Sequence, residues 1–315
     1  MKKIKQTYLR STYITLAILV LFMVAGSIWD LQISKWIYPG HENSIGQFFV
    51  AFGELPAFLA LTCAGSLLLV YRERINPAWS ALIAACGAAL IVMGLVLCVH
   101  EATDNVPALP MWVALLVALF MAAITAAGIV YYARGASAKT VVRFVLTLTV
   151  VAIGTMLLIN IVKVPWGRAR MRLITLTGND SYFSPWWKAG SELKKKLVAD
   201  GVSSSEFRSF PSGHTACAAC AMLLALLPTL KKGAEKRIPL LYLLGCGWCA
   251  VTAFTRLRMG AHFLTDVTMA WLITLGMCVL SVYLFYFNKK FFTRLWAFIS
   301  ESPNPFTMKK KKTDL

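Results

Sequence analysis

The sequence predicts an all-α polytopic membrane helix bundle of about eight transmembrane helices. Three observations predict it. The 315 residues are 58% hydrophobic and only 15% charged, against about 45–50% and 25% in soluble domains. The apolar residues fall in repeated runs of about 20, the helix length that spans a hydrocarbon core. The cations between those runs concentrate in alternate loops, as they do when one side of the membrane retains positive charge.

The elements follow in order. Residues 1–11 are basic (Lys2, Lys3, Lys5, Arg10) and lead into an apolar run from Tyr13 to Trp29. That run is longer than a signal-peptide core of about 7–15 residues. It is expected to stay as the first span, although Ala25-Gly26-Ser27 offers small residues for cleavage. Further runs lie at about 48–70, 79–99, 111–132, 140–162, 213–230, 238–255 and 263–287. With the N-terminus inside, Arg72/Arg74, Arg134/Lys139/Arg143, Lys231/Lys232/Lys236/Arg237 and the Lys309–Lys312 tail all fall inside. Asp30, Glu42, Glu101 and Asp104 fall outside. Two outer loops break the rule by holding Arg and Lys: the long one at 164–210 and the short one at 256–261. An anion-binding face produces such an exception.

The expected organisation is therefore N-terminal helices without motif at 1–139, a core at 140–288 including outer loop 164–210, and a basic cytoplasmic tail at 289–315. The net charge of +18 reports cytoplasmic anchoring, and no nucleic-acid partner is expected because the cations lie between spans. Trp166, Trp186 and Trp187 in the long loop favour the headgroup region, so the loop is expected to lie on the membrane surface over the site. All eight cysteines fall inside apolar runs, which argues against disulfides. Cys217/Cys220 and Cys246/Cys249 have a spacing that can mean zinc, but they sit among Ala and Gly mid-helix, where close helix packing is the better account.

The chemistry concentrates in three stretches. Thr255-Arg-Leu-Arg-Met-Gly-Ala-His-Phe-Leu-Thr-Asp266 lies between two apolar runs, where ionisable groups are costly unless they function. His262 and Asp266 are four apart. On a helix the carboxylate can accept the imidazole Nδ1–H, leaving the other nitrogen as nucleophile or base. Arg256 supplies a planar fork suited to phosphate oxygens. Lys163-Val-Pro-Trp-Gly-Arg-Ala-Arg170 leaves the fifth span, and Phe210-Pro-Ser-Gly-His-Thr215 opens the sixth. In the latter, Ser212 can cap, Gly213 allows close approach, and free N–H groups can hold phosphate near His214. All three stretches map to one membrane face.

Together they resemble the signature of the type-2 phosphatidic acid phosphatase superfamily, which shares its site with vanadium haloperoxidases. The signature reads Lys, six residues, Arg-Pro; then Pro-Ser-Gly-His; then Ser-Arg, five residues, His, three residues, Asp. Lys163, Arg170, Pro211-Ser212-Gly213-His214, Arg256, His262 and Asp266 match it, while Met171 replaces the usual Pro and Thr255 the usual Ser. The resemblance covers residues 140–288. It implies a phosphatase in which His262 attacks phosphorus, Asp266 orients it, and His214 protonates the leaving oxygen and then activates water. Lys163, Arg170, Arg256 and the backbone at Ser212-Gly213 bind the phosphate. Phosphoryl transfer needs mainly positioning and charge stabilisation, which three cations can supply, so no metal or other cofactor is expected. The implied partner is a lipid phosphate in the bilayer: polyprenyl diphosphate, phosphatidylglycerol phosphate or phosphatidic acid. Arg168, Arg172, Arg208 and Arg258 are candidates for holding a second phosphate. A lipid phosphotransferase, a phosphate-lipid transporter or flippase, and a phosphatase of soluble esters are the competing readings. The expected location is a bacterial plasma membrane, both termini cytoplasmic and the site extracytoplasmic.

Overall fold

In hydrocarbon each backbone N–H and C=O must pair within its own segment, so apolar runs become helices. The computed structural model describes residues 2–40, 44–106 and 109–301, with side chains from Gln6 onward. Eight helices among these are long and apolar enough to cross a membrane, and the described residues contain no strand. The chain is a multi-pass, all-α membrane protein. Glu42 and Lys309–Lys312, used above for loop charge, lie outside the described residues.

Helix α1 (Lys2–Ile37) bends at Trp29, whose φ of −124° and ψ of 21° are not helical. The bend precedes Asp30, which is buried. α1 packs on α10 (Ile238–Arg258) and α11 (Leu264–Val282). A Cβ on Gly26 would come 2.7 Å from Thr265 Cγ2, so the backbones meet closely there.

The second span departs from the single run expected at 48–70. It is broken into α2 (Ser44–Phe52) and α3 (Leu55–Ile75), with Gly53 and Glu54 between them. Pro56 sits in the first turn of α3, where its missing N–H is not needed. α3 is largely enclosed, packed on α4 (Ser80–Asn105), α5 (Met111–Tyr132) and α6 (Ala138–Trp166). α5 buries Ala114, Ala118 and Ala122, a stripe of small residues every fourth position that turns its larger side chains outward.

α6 ends at Gly167, which takes the left-handed conformation (φ 69°) that releases the chain into the long loop. The loop carries α7 (Met171–Thr177) and α8 (Ser191–Ala199). Two of its tryptophans turn inward: Trp186 donates to Ser27 Oγ at 2.9 Å and stacks on Phe210, and Trp166 lies 5.2 Å from the same ring. Trp187 is exposed. The sixth span begins as α9 (Gly213–Ala219) but tightens into a 3₁₀ segment, Cys220–Leu230. It lies against α10, where a Cβ on Gly245 would meet Ala221 O at 2.4 Å. Close packing therefore accounts for Gly245 and Ala221 beside the two cysteine pairs, and all eight cysteines are free. α11 runs into a π turn at Tyr283–Phe287, and α12 (Lys289–Glu301) buries Phe292 under the Arg143 guanidinium.

Candidate active site

The three charged stretches meet at one end of the bundle. Gly167 turns the chain back so that Ser209 N donates to Arg168 O (3.1 Å), and Arg170 N donates to Glu206 O (2.8 Å). Ser212 N donates to Asp266 O (3.2 Å), fastening the start of α9 to the start of α11. Ser212 then caps α9, its Oγ accepting from Thr215 N at 3.3 Å. A cavity of about 790 Å³ opens where these segments converge. Lys163, Arg170, Gly213, His214, Arg256 and His262 all line it. Ser212 and Asp266, also expected in the site, are fully buried behind that wall.

The cationic side of the cavity is under-paired. Arg256 is 5% exposed, yet its Nε and one terminal nitrogen have no hydrogen-bond partner, and the buried Nε of Arg170 has none. A buried guanidinium left unpaired costs several kcal/mol, so these groups are arranged for an anion. A Cβ on Gly213 would lie 3.4 Å from Lys163 Nζ, which places that ammonium beside the α9 N-terminus.

His262 corrects one expectation. The four-residue spacing to Asp266 presumes that both lie on a helix, but α11 begins only at Leu264, so His262 precedes it. Its Nδ1 lies 2.6 Å from Ser209 O and 3.8 Å from Asp266 Oδ2. A carbonyl oxygen can only accept, so Nδ1 carries the proton and the neutral ring keeps its lone pair on Nε2. Burial holds this imidazole well below the usual histidine pKa; the nearby Asp266 carboxylate opposes the shift, and Lys163 and Arg256 add to it. Asp266 instead closes the α11 N-terminus, accepting from Phe263 N (2.8 Å), Ser209 Oγ (2.6 Å) and Arg168 (2.5 Å). It therefore reaches His262 chiefly through Ser209, whose hydroxyl and carbonyl hold one each.

Arg168 corrects another. As a possible holder of a second phosphate it should be open, but it is 0% exposed. It bridges Asp30 of α1 (2.8 Å) and Asp266 of α11 (2.5 Å), donates to Thr265 Oγ1 and Ser184 O, and lies over the Phe263 ring. Asp30 also accepts from Thr265 N at 3.1 Å and from its hydroxyl. Arg258 donates to Ile37 O at 3.1 Å. Arg172 and Arg208 do line the cavity, with Arg172 held by Glu206 in a two-pronged pair. That pair brings the Glu206 carboxyl below its ordinary pKa, overcoming the opposing effect of burial.

His214 has partners absent from the three motifs. Its Nδ1 is 2.9 Å from Glu54 Oε1 and its Nε2 is 2.9 Å from Val50 O. Val50 lies in the last turn of α2, where the carbonyl has no helical partner. Glu101 also lines this side. Glu54, Glu101 and His214 form the one group of potential metal ligands among the described residues, with ligand atoms within 4.8 Å of one another. The 2.9 Å contact is a direct hydrogen bond, shorter than the ~3.3 Å between neighbouring ligands around a tetrahedral ion. The signal for Glu54 was present in the sequence: a carboxylate inside an apolar run is costly without a role.

Residues 143–290, less than half of the chain, match the family model described as PAP2 superfamily. Comparison with curated proteins and with solved structures gave no match. The matched segment contains all three charged stretches, whereas Asp30, Val50, Glu54 and Glu101 lie outside it.

Proposed function

We propose that this membrane protein, whose residues 143–290 match the PAP2 superfamily of generally phosphatase members, hydrolyses a lipid phosphate or diphosphate through a phosphohistidine at His262. One observation carries the reading: two histidines and under-paired, buried guanidinium groups face a single cavity. The cavity wall also includes Phe58, Leu97, Met156 and Ile159 from three spans, and this apolar side suits the chain of an amphiphile.

His262 Nε2 attacks phosphorus as the bond to the lipid oxygen breaks, and His214 Nε2–H protonates that departing oxygen. Water then attacks with His214 as base, the P–N bond breaks, and its electron pair returns to His262. Lys163, Arg170, Arg256 and the backbone N–H of Gly213 balance the charge of the phosphoryl oxygens, while the N–H of Ser212, expected to join them, is taken by Asp266 O. These cations carry that stabilisation without a metal. Loop charge supports an orientation with both termini cytoplasmic and the site extracytoplasmic, and we place the protein in the plasma membrane.

The test is phosphate release by purified wild type and His262→Ala on polyprenyl diphosphate, phosphatidylglycerol phosphate, phosphatidic acid and soluble phosphate esters. Release from at least one lipid by wild type, and none by the variant, is the expected result. Equal release by both, or release from soluble esters alone, overturns the reading.

A further inference from the structure

We propose that Glu54, a residue from outside the family segment, is the positioning residue of His214. The proposal rests on the phosphatase reading above. Glu54 stands at the break between α2 and α3, deep in an apolar span, where it is only 8% exposed. It occupies the N-cap position of α3, yet its side chain makes no capping hydrogen bond. Helix capping therefore does not explain a carboxylate there. Its Oε1 instead faces His214 Nδ1 at 2.9 Å.

The geometry divides the two imidazole nitrogens. Glu54 accepts the Nδ1–H and so fixes the ring's plane and tautomer. Nε2 is left with the weaker acceptor, the Val50 carbonyl, which a departing lipid oxygen can replace. The carboxylate also stabilises the imidazolium that forms when His214 takes a proton from water. The other charged or titratable groups facing the pair are Lys163 of α6, Arg256 of α10, Glu101 of α4 and Cys217 of α9. Glu54 is the one that touches His214. The N-terminal helices, motif-free in sequence, would thus complete the acid–base half of the site.

The test exploits leaving-group chemistry. An alkyl lipid phosphate needs a proton on its leaving oxygen, whereas p-nitrophenolate departs without one. Full-length wild type, Glu54→Gln, His214→Ala and the double variant are purified in detergent. Each is assayed on a short-chain phosphatidic acid and on p-nitrophenyl phosphate. Glu54→Gln should lower kcat/KM for the lipid by about 100-fold or more, with a much smaller loss for the aryl ester. It should add little further loss in the His214→Ala background. Equal losses on both esters, or full additivity with His214→Ala, would make Glu54 a structural residue and overturn the proposal. If the glutamine variant does not fold, Glu54→Asp replaces it: keeping a carboxylate, it should retain the wild-type ratio between the two esters, and an altered ratio counts against the proposal. Failure of the phosphatase reading looks different, with wild type inactive or His262→Ala active.

Discussion

Replacing Arg168 by Met keeps much of the side-chain volume but removes the guanidinium that joins Asp30 to Asp266 across α1 and α11. Both carboxylates are at most 4% exposed, and the arginine is sealed from solvent. Breaking a buried pair from one side costs about 3–5 kcal/mol, because a charge is left uncompensated. For a protein of this size that lowers the unfolding midpoint by on the order of 10 °C. Asp30→Asn leaves Arg168 its bond to Asp266 and should cost less. Turnover should also fall in Arg168→Met, since Asp266 fixes Ser209 and Ser209 fixes His262. Thermal unfolding followed in detergent, with phosphate release assayed below the midpoint, reads both effects. A raised KM with an unchanged midpoint would mean that Arg168 contacts substrate, and would refute the buried-bridge account.

Four further outcomes are expected. Because His262 is held well below the ordinary value of 6.5, kcat/KM should show no acid limb from it until pH falls below 6.5; an acid limb centred at or above 6.5 contradicts the assignment. The same shift makes the unfolded chain bind a proton first, so its contribution to stability is full above 6.5 and is lost as pH falls toward the folded value; midpoints measured across pH in wild type and His262→Gln check the sign. Arg256→Lys loses the planar fork and should lower kcat/KM by on the order of 100-fold, measured on the best lipid substrate. Gly245→Ala places a Cβ against the Ala221 carbonyl, and the two segments must part, so its midpoint should fall; an unchanged midpoint argues against that contact.

Hydropathy and loop charge made the eight spans legible, because the membrane tolerates few alternatives to an apolar helix. The three charged stretches were legible as motifs, and the structure brings them to one cavity. Other features were hidden for identifiable reasons. Glu54 was averaged into a long apolar run, although a carboxylate there was a signal, and its partner His214 comes from a distant span. The His262–Asp266 spacing misled because one turn of sequence straddles a helix start, which a four-residue rule cannot detect. Arg168 read as a ligand because sequence shows its charge but not Asp30, 138 positions earlier, that covers it. The 3₁₀ geometry of Cys220–Leu230, which lies against α10, likewise has no marker in the apolar pattern of that run.

The most direct test of the central claim is to trap the covalent intermediate. Purified wild type and His262→Ala are mixed with lipid carrying a radiolabelled phosphate and quenched in alkali, where phosphohistidine survives. Label should appear on wild-type protein, be lost in acid, and map to His262. A turnover-competent enzyme that never becomes labelled, or label that persists in His262→Ala, would contradict the account.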